Sequence, residues 1–292
     1  MSMSEITPDR SGHLEREGQS VWWEYHGRGD RDAVVLLNGL AMHTRAWYGF
    51  LEHLDGFDVL LYDYLGQGAS SCPDEPYTIP RFCDDLAAIL DHLRIDRVHV
   101  MGISYGGFVA LDFARLHQQR IHTLAVSGIL LSHERQFEMY QDLSLRFYRS
   151  GPKAFELYTH YLYEKIFGEE FLRSVPPATL EAMRQRFHER YRDRVHCLVR
   201  LTEAQIPFFA GLDARLPEYR AIRVPTLVFA GEQDRAIPLW QQRKLLEIIP
   251  DTRWELISGA GHVVYLERPQ VVFPMLRAFM TARSTAFEMP AR

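Results

Sequence analysis

The chain has 292 residues, of which 47% are hydrophobic and 24% are charged, a balance typical of a globular protein with a substantial buried core. Its formal net charge of -5 gives no support for nucleic acid or an anionic membrane surface as the main partner. No uncharged apolar run approaches the roughly 18 residues that a transmembrane helix needs.

The termini and the cysteines both bear on where the protein resides. Residues 1–19 are polar, lack the apolar centre of a signal peptide and are interpreted, like residues 284–292, as a flexible terminus. Cys72, Cys83 and Cys197 are odd in number and widely spaced, which favours neither a disulfide framework nor a zinc site. We therefore expect a reducing, cytoplasmic setting.

Short apolar runs alternate with amphipathic segments along most of the chain. Six runs have the composition of strands covered on both faces, at residues 33–37, 57–63, 97–101, 124–126, 226–230 and 254–257. Apolar residues recur at helical spacing in residues 82–93, 245–249 and 271–279. This alternation predicts an α/β fold, built from right-handed strand–helix–strand units into a mostly parallel sheet with helices on both faces.

The alternation stops over residues 133–220, where helical patterns rich in aromatic residues follow one another. We interpret this stretch as a helical lid inserted into a core domain formed by residues 20–132 and 221–283. Most of the lid aromatics are expected to pack within the lid or against the core. Phe147 and Tyr161 are expected to contact substrate.

The strongest chemical motif is the sequence Gly102-Ile103-Ser104-Tyr105-Gly106-Gly107, which lies between a predicted strand and a helical pattern. A serine at a sharp strand-to-helix turn adopts a strained backbone, and glycines two residues away on each side relieve the crowding. Such a turn exposes the hydroxyl and directs amides at the helix N-terminus toward developing negative charge. The motif predicts that Ser104 is a nucleophile.

A serine hydroxyl is a weak nucleophile at neutral pH and needs a base. His262 ends the sequence GAGH in a loop after the last predicted strand, a placement that the other histidines lack. An acid must in turn orient the histidine. Asp234 follows the strand at 226–230, and the chain order serine, aspartate, histidine is typical of one fold family. Glu232 is the nearby alternative, and a structural or solvated role suits it better.

Two backbone donors are expected to bind the oxyanion that forms on the substrate. One is the amide of Tyr105, directly after the nucleophile. The other is the amide of Leu40, in the loop after the first buried strand. Asn38 and Gly39 in that loop could form only a turn, but their position favours the site. Asn38, Gly39 and Trp47 are also expected to contact substrate.

The segments LLNGLAMHTRAW, DYLGQGAS, GISYGG, GEQDRAIP and GAGH give the chain its resemblance to the α/β-hydrolase superfamily, from about Val21 to Ala282. The resemblance implies an eight-stranded sheet, a triad of Ser104, Asp234 and His262, and a lid after the sixth strand. No H-E-x-x-H or comparable metal-ligand spacing occurs, and neither a metal nor a cofactor is expected.

The chain departs from the resemblance at Asn38-Gly39, where much of the superfamily has His-Gly. Asn-Gly is similar to the bacterial hydroxyacyl transferases that act on fatty acyl groups carried by acyl carrier protein or coenzyme A. The rest of the nucleophile region looks more like the esterase, lactonase and enol-lactonase branch.

Three functions therefore stay open. The first is hydrolysis of a carboxylic ester or lactone with a mainly apolar acyl or aryl group, through an acyl-enzyme. The second is transfer of a fatty or hydroxy-fatty acyl group from coenzyme A or acyl carrier protein. The third is ligand binding without catalysis. The expected partner is a small ester, lactone or thioester, and the sequence permits a homodimer without deciding the oligomeric state.

The basic segment at residues 183–194 bears on the second function, because it could meet a phosphopantetheine group or an acidic carrier protein. However, Met183, Phe187 and Tyr191 recur at helical spacing. This pattern favours a helix whose arginines occupy exposed faces.

Overall fold

A twisted sheet is the centre of the protein in the computed structural model, which describes residues 6–290. The strands are β1 (Arg10–Arg16), β2 (Gln19–His26), β3 (Ala33–Leu37), β4 (Asp58–Tyr62), β5 (Val98–Ile103), β6 (Ile121–Ser127), β7 (Thr226–Gly231) and β8 (Thr252–Ile257). Over the described residues they form one eight-stranded sheet in the order β1-β2-β4-β3-β5-β6-β7-β8. The pairs β1·β2 and β2·β4 are antiparallel, and all the other neighbouring pairs in this order are parallel. The predicted fold class is therefore confirmed.

Strand β3 shows why the central strands are apolar throughout. All five of its residues are buried, and alternate side chains point to opposite faces of the sheet. Val35 and Leu37 join one hydrophobic core, whereas Val34 and Leu36 join a second core on the other face. A sheet covered on both faces therefore needs continuous apolar strands.

Helices cover both faces of this sheet, and others form the insertion described below. In chain order the helices are α1 (Ile79–Leu93), α2 (Tyr105–His117), α3 (Arg135–Arg149), α4 (Pro152–Ile166), α5 (Glu169–Ser174), α6 (Pro177–Tyr191), α7 (Val195–Glu203), α8 (Gln205–Ala210), α9 (Leu212–Arg220), α10 (Leu239–Gln242), α11 (Val264–Glu267) and α12 (Pro269–Ala282). Short 3₁₀ segments lie at Thr44–Leu54, Gln118–Arg120 and Arg243–Glu247. Among the helices of residues 6–290, none is both long and apolar enough to cross a bilayer.

Seven consecutive helices, α3 to α9, lie between β6 and β7 in a stretch that the structure describes throughout. Part of this insertion has a hydrophobic core of its own, which includes Tyr148, Phe155, Tyr158 and Tyr191. Ala41, from the loop after β3, belongs to the same cluster. The insertion therefore packs directly over the loop that carries the expected oxyanion donor.

The expectation of flexible termini is wrong for residues 10–16 and for Phe287. Residues 10–16 form β1, which pairs with β2 along its whole length. Its side chains are mostly exposed or half-buried, so main-chain pairing rather than an apolar run holds it, and no hydrophobic pattern reveals it. Near the other end, Phe287 is buried against Phe279, with ring centroids 5.5 Å apart. Residues 1–5 and 291–292 lie outside the described part of the chain.

The cysteine interpretation also needs correction. Cys72 and Cys197 form a disulfide, with Cα atoms 5.9 Å apart across a sequence separation of 125. Sequence spacing does not report this pairing, because folding brings the loop after β4 against α7. Since disulfides persist mainly in oxidising compartments, the cysteines no longer support a reducing, cytoplasmic setting. The ring of His196 lies beside the two sulfurs, and only reduced thiols could join it in binding a metal ion.

Candidate active site

Ser104 occupies the tight turn between β5 and α2. Its φ of 52° is a conformation that L-residues rarely adopt. A Cβ on Gly102 would lie 2.4 Å from the carbonyl oxygen of Gly106, and a Cβ on Gly106 would lie 2.3 Å from the carbonyl oxygen of Leu37. Both positions therefore require glycine, and the backbone amide of Ser104 is anchored to the carbonyl of Ser127 at 2.8 Å. The sequence motif thus corresponds to a strained, sterically enforced turn.

Main-chain amides surround the same turn. Tyr105 is the first residue of α2, and amides in the first turn of a helix have no acceptor within that helix. Leu40, in the loop after β3, lines the cavity into which Ser104 opens. The loop is held by Gln67, whose Nε2 donates to the carbonyl oxygen of Gly39 at 3.0 Å. The structure therefore places Leu40 and Tyr105 on the wall that Ser104 shares.

His262 and Asp234 form a buried pair at the carboxyl end of the sheet. Nδ1 of His262 lies 2.9 Å from Oδ2 of Asp234, and both residues are under one-tenth exposed. Oδ1 of the same carboxylate accepts from the backbone amides of Ala236 and Ile237 at 2.9 and 2.8 Å. A carboxylate can only accept, so Nδ1 of His262 carries the hydrogen and Nε2 is free to take a proton.

Two opposing effects act on the pKa of His262. Burial disfavours the charged ring and lowers the pKa, while the charge and hydrogen bond of Asp234 raise it, with a smaller contribution from Glu267. The net pKa lies above the ordinary value of 6.5. The alternative acid, Glu232, binds other groups: its carboxylate accepts from Ser258 Oγ and from the amide of Gly259 at 2.8 and 3.0 Å.

Sequence reasoning missed Gln242, the last residue of α10, which is fully buried. Its Nε2 donates to Oδ2 of Asp234 at 3.0 Å, and its Oε1 accepts from the amide of Gly128 at 3.0 Å. A Cβ on Gly128 would lie 2.6 Å from Cε1 of His262, so only glycine fits beside the ring. Gln242 therefore joins the loops after β6 and β7, and no local pattern marks it.

A second buried residue, Glu267 of α11, links the histidine loop to the insertion. Its Oε2 accepts from the amides of Gly168 and Gly261 at 3.0 and 2.9 Å. The amide of His262 itself donates to the carbonyl oxygen of Ile166, the last residue of α4, at 2.8 Å. The insertion and the histidine loop are therefore joined through their main chains, with glycines where the two backbones meet.

Ser104, His262, Leu40 and Tyr105 all line one cavity of about 690 Å³. It lies between the edge of the sheet and the insertion. Aromatic side chains of the insertion form much of its wall, among them Phe137, Tyr140, Tyr148, Tyr158 and Phe187. A cavity of this volume with mainly apolar walls is typical of a small-molecule site.

Two of the expected substrate contacts, Asn38 and Trp47, do not line this cavity. Both are fully buried. Nδ2 of Asn38 donates to the carbonyl oxygen of Tyr62 and to Asp63 Oδ1 at 3.0 and 3.2 Å, and its Oδ1 accepts from Trp47 Nε1 at 2.8 Å. Because their polar atoms bind each other and the adjoining strand, the two side chains hold the loop after β3 in place. Gly39, by contrast, lines the cavity.

The expected lid contacts Phe147 and Tyr161 also lie outside the cavity lining. Their rings stack on each other with centroids 5.9 Å apart, and Lys165 lies over the Tyr161 ring. Helical periodicity cannot tell which face of an aromatic helix meets the cavity and which meets a neighbouring helix. The residues facing the cavity are instead their neighbours Tyr148, Tyr158 and Leu162.

Comparison with known proteins shows the family to which the chain belongs. Residues 32–269 match the family model described as the alpha/beta hydrolase fold. The chain belongs to the α/β-hydrolase family. The poly(3-hydroxyalkanoate) depolymerase of Ectopseudomonas oleovorans is 26% identical, with 91% of each chain covered. The 3-oxoadipate enol-lactonase 2 of Acinetobacter baylyi is 28% identical, with 87% of this chain and 90% of the relative covered.

Solved structures show the same fold. The α/β-hydrolase enzyme MGS-M2 from a Medee basin deep-sea metagenome library superposes with a TM-score of 0.82 at 24% identity, covering 96% of this chain and 100% of that one. The enol-lactonase of Burkholderia xenovorans LB400 gives a TM-score of 0.77 at 24% identity, with 92% and 100% covered. As a member of this family with hydrolases among its relatives, the chain is an enzyme of the hydrolase class.

Proposed function

We propose that the enzyme is a serine hydrolase that cleaves a carboxylic ester or lactone through an acyl-enzyme. The observation that carries this proposal is the buried pair of His262 and Asp234, at 2.9 Å, whose His262 lines the same cavity as the strained Ser104. A nucleophile, a base and an acid that orients the base are the parts that this chemistry requires.

In the first half of the reaction, Oγ of Ser104 attacks the carbonyl carbon while Nε2 of His262 takes its proton. The amides of Leu40 and Tyr105 donate to the oxyanion, and one such donor contributes about 3 kcal/mol to transition-state stabilisation. The tetrahedral intermediate collapses, His262 returns the proton to the leaving alcohol oxygen, and Ser104 is left acylated. For a lactone the alcohol stays attached to the acyl group.

In the second half, water attacks the acyl-enzyme. His262 takes one proton from the water, and the amides bind the second oxyanion. Collapse breaks the bond to Ser104, which recovers its proton from His262, and the carboxylic acid leaves. Asp234 keeps its charge throughout and stabilises the imidazolium that forms twice in each cycle.

The apolar, aromatic part of the cavity suits an acyl or aryl group. The names of the relatives describe ester and lactone chemistry, which supports the same substrate class for this chain. Because the insertion forms one wall of the cavity, we assign it the role of a lid. The partner is then a small molecule that must pass between the lid and the edge of the sheet.

Replacement of Ser104 tests the proposal. We expect Ser104→Ala to lower kcat on p-nitrophenyl butanoate by at least about 10³-fold, because a missing nucleophile disables the whole triad. A serine-directed fluorophosphonate should add its mass to Ser104 of the wild type and not to the variant. The measurements are initial rates and mass spectrometry of a peptide digest.

The matched control is Ser144→Ala. Ser144 lines the same cavity, but its hydroxyl donates to the carbonyl oxygen of Tyr140 at 2.9 Å and not to a histidine ring. This variant should keep wild-type kcat within about threefold and should still be labelled at Ser104. Full activity of Ser104→Ala would overturn the mechanism, and a wild type that neither turns over nor labels would favour a non-catalytic binding protein.

Transfer to an acceptor other than water is the second chemistry compatible with this site. Butanoyl-CoA with hydroxyacyl acceptors distinguishes the two, since a transferase produces new ester in proportion to acceptor. Release of butanoate alone, at every acceptor concentration, identifies a hydrolase.

A further inference from the structure

Three arginines line the active-site cavity. Arg45 follows β3, and Arg186 and Arg190 lie one turn apart on α6. Across the described residues that line this cavity, none is an aspartate or glutamate. The three arginines are exposed although they line the cavity, so they lie at its open side. The apolar chamber therefore has a cationic mouth, defined here as Arg45, Arg186 and Arg190.

Two other arginines of the same basic segment form ion pairs. Arg184 binds Glu181, and Arg192 binds Asp193 at 3.3 Å. Over residues 6–290, no carboxylate lies within salt-bridge distance of Arg186 or Arg190. The spacing favours exposed helix faces for these arginines. Arg186 and Arg190 are exposed and also line the cavity, whereas Arg184 is buried.

The electrostatics at the mouth agree with this geometry. The pKa of His43 is lowered to about 4, mainly by burial and further by the charges of Arg190 and Arg45. His43 is therefore neutral at pH 7. Partial desolvation at the mouth also lowers the pKa of Arg190. Arg186 adds a smaller shift in the same direction, and the charge of Asp63 opposes it. The whole chain carries a formal charge of -5, so the positive mouth is a local feature.

We propose that the cationic mouth binds a carboxylate carried by the substrate, so that the enzyme prefers esters or lactones bearing a negative charge at the end remote from the scissile bond. This inference rests on the proposed function and narrows its substrate class. Guanidinium groups present planar paired donors that match a carboxylate. A cavity of about 690 Å³ encloses a small molecule whole, so the anionic group belongs to the same small substrate as the reacting carbonyl.

Matched ester pairs test the proposal. One pair is the mono-p-nitrophenyl ester of glutaric acid against p-nitrophenyl pentanoate, with the charge on the acyl side. The other is 4-(butanoyloxy)benzoate against its methyl ester, with the charge on the leaving group. In at least one pair we expect kcat/KM to favour the anion by about tenfold, the size of a charge-assisted contact. The preference should shrink as salt is raised from 0.02 to about 0.5 M.

The variant Arg186→Met/Arg190→Met should abolish this preference, so that the ratio of kcat/KM for the anionic ester to kcat/KM for its neutral partner falls to about one. Arg192→Met is the matched control, because it removes one positive charge beside α6 from a residue that does not line the cavity. It should keep the preference. The proposal is overturned if neither ester pair shows a preference for the anion, or if the double variant keeps that preference. It is also overturned if the double variant loses only turnover of butanoyl-CoA, because the arginines would then bind coenzyme A and not a substrate carboxylate.

Binding to inactive protein separates this proposal from the catalytic one. Calorimetry with Ser104→Ala should show 4-phenylbutyrate binding about tenfold more tightly than 4-phenylbutanol, and addition of Arg186→Met/Arg190→Met should equalise them. Equal affinities before the arginine changes overturn the carboxylate site whether or not Ser104 is a nucleophile. A carboxylate preference in a protein that hydrolyses no ester would sustain the site and overturn the proposed reaction.

Discussion

At the scale of single residues, the environment of His262 sets an expected pH dependence. Burial opposes the charge on the ring, but the charge and hydrogen bond of Asp234 outweigh it and raise the pKa above 6.5. The base acts only when neutral, so activity should fall as the pH drops through this raised pKa. We expect the acid limb of kcat/KM on a neutral ester to have its midpoint above pH 6.5.

The variant Asp234→Asn provides the test of this cause. It removes the two larger effects that raise the pKa, leaves the smaller one of Glu267 and keeps the burial that lowers it, so the acid limb should move below pH 6.5 and the rate should fall. The rate of fluorophosphonate labelling, followed from pH 5 to 9, reports the limb even where turnover is slow. A limb that does not move would show that Asp234 does not control the charge of His262.

The role of Asn38 depends on its neighbours and not on its residue type alone. Asn38-Gly39 predicts a loop after the first buried strand, and Asn38 in that loop is expected to contact substrate. That the amide binds Trp47 and the strand carbonyl at Tyr62, rather than substrate, depends on packing across three segments. An amide offers donors and an acceptor in any setting, and only its neighbours decide which of them are used.

At the scale of secondary-structure elements, α10 connects two catalytic loops through Gln242. Its Nε2 donates to the same oxygen of Asp234 that accepts from His262. Gln242→Met keeps the shape of the side chain and removes this donor. We expect kcat/KM to fall about tenfold, and the acid limb to move to higher pH, because more negative charge on that oxygen stabilises the imidazolium.

Gln241→Met is the matched control for this positioning residue. Gln241 is equally buried and adjacent, but its amide faces Gln136 at 3.4 Å and does not touch Asp234. It should leave the pH profile in place even if it lowers thermal stability. If both variants lose stability and neither moves the acid limb, Gln242 supports the fold and does not tune the triad.

The elements themselves were predictable to different degrees. Central strands such as β3 and β7 are apolar because both faces are covered, and this leaves a clear pattern in the sequence. Edge strand β1 was missed because its polar side chains face solvent and its stability comes from pairing with β2. The number of strands beyond the apolar six was implied by family resemblance, and the structure confirms the total over residues 6–290.

At the scale of the whole molecule, the disulfide joins the loop after β4 to α7 of the insertion. It closes a loop of 125 residues, and closure of a long loop restricts the unfolded chain, a stabilisation of about 2–4 kcal/mol. For a chain of this length, we expect reduction or Cys197→Ser to lower Tm by about 5 °C. Differential scanning calorimetry with and without dithiothreitol makes the measurement.

Cys83→Ala is the control, because Cys83 is the free, buried cysteine of the described residues and its removal should leave the response to dithiothreitol intact. Thiol titration in denaturant gives an independent reading. Wild-type protein prepared without reductant should expose one thiol, and reduced protein should expose three, the chain's full cysteine content. Three thiols before reduction, or a Tm that reductant does not change, would contradict the pairing.

The sequence by itself determined the class of fold, the turn at Ser104 and the order in which Ser104, Asp234 and His262 occur. These features are local, because apolar periodicity and glycine spacing act on neighbours along the chain. Tertiary structure alone decided that Gln242 binds Asp234, that Cys72 meets Cys197, and that Arg186 and Arg190 face the cavity. Each depends on which elements pack together, and packing brings together residues that lie far apart in the sequence at no regular spacing.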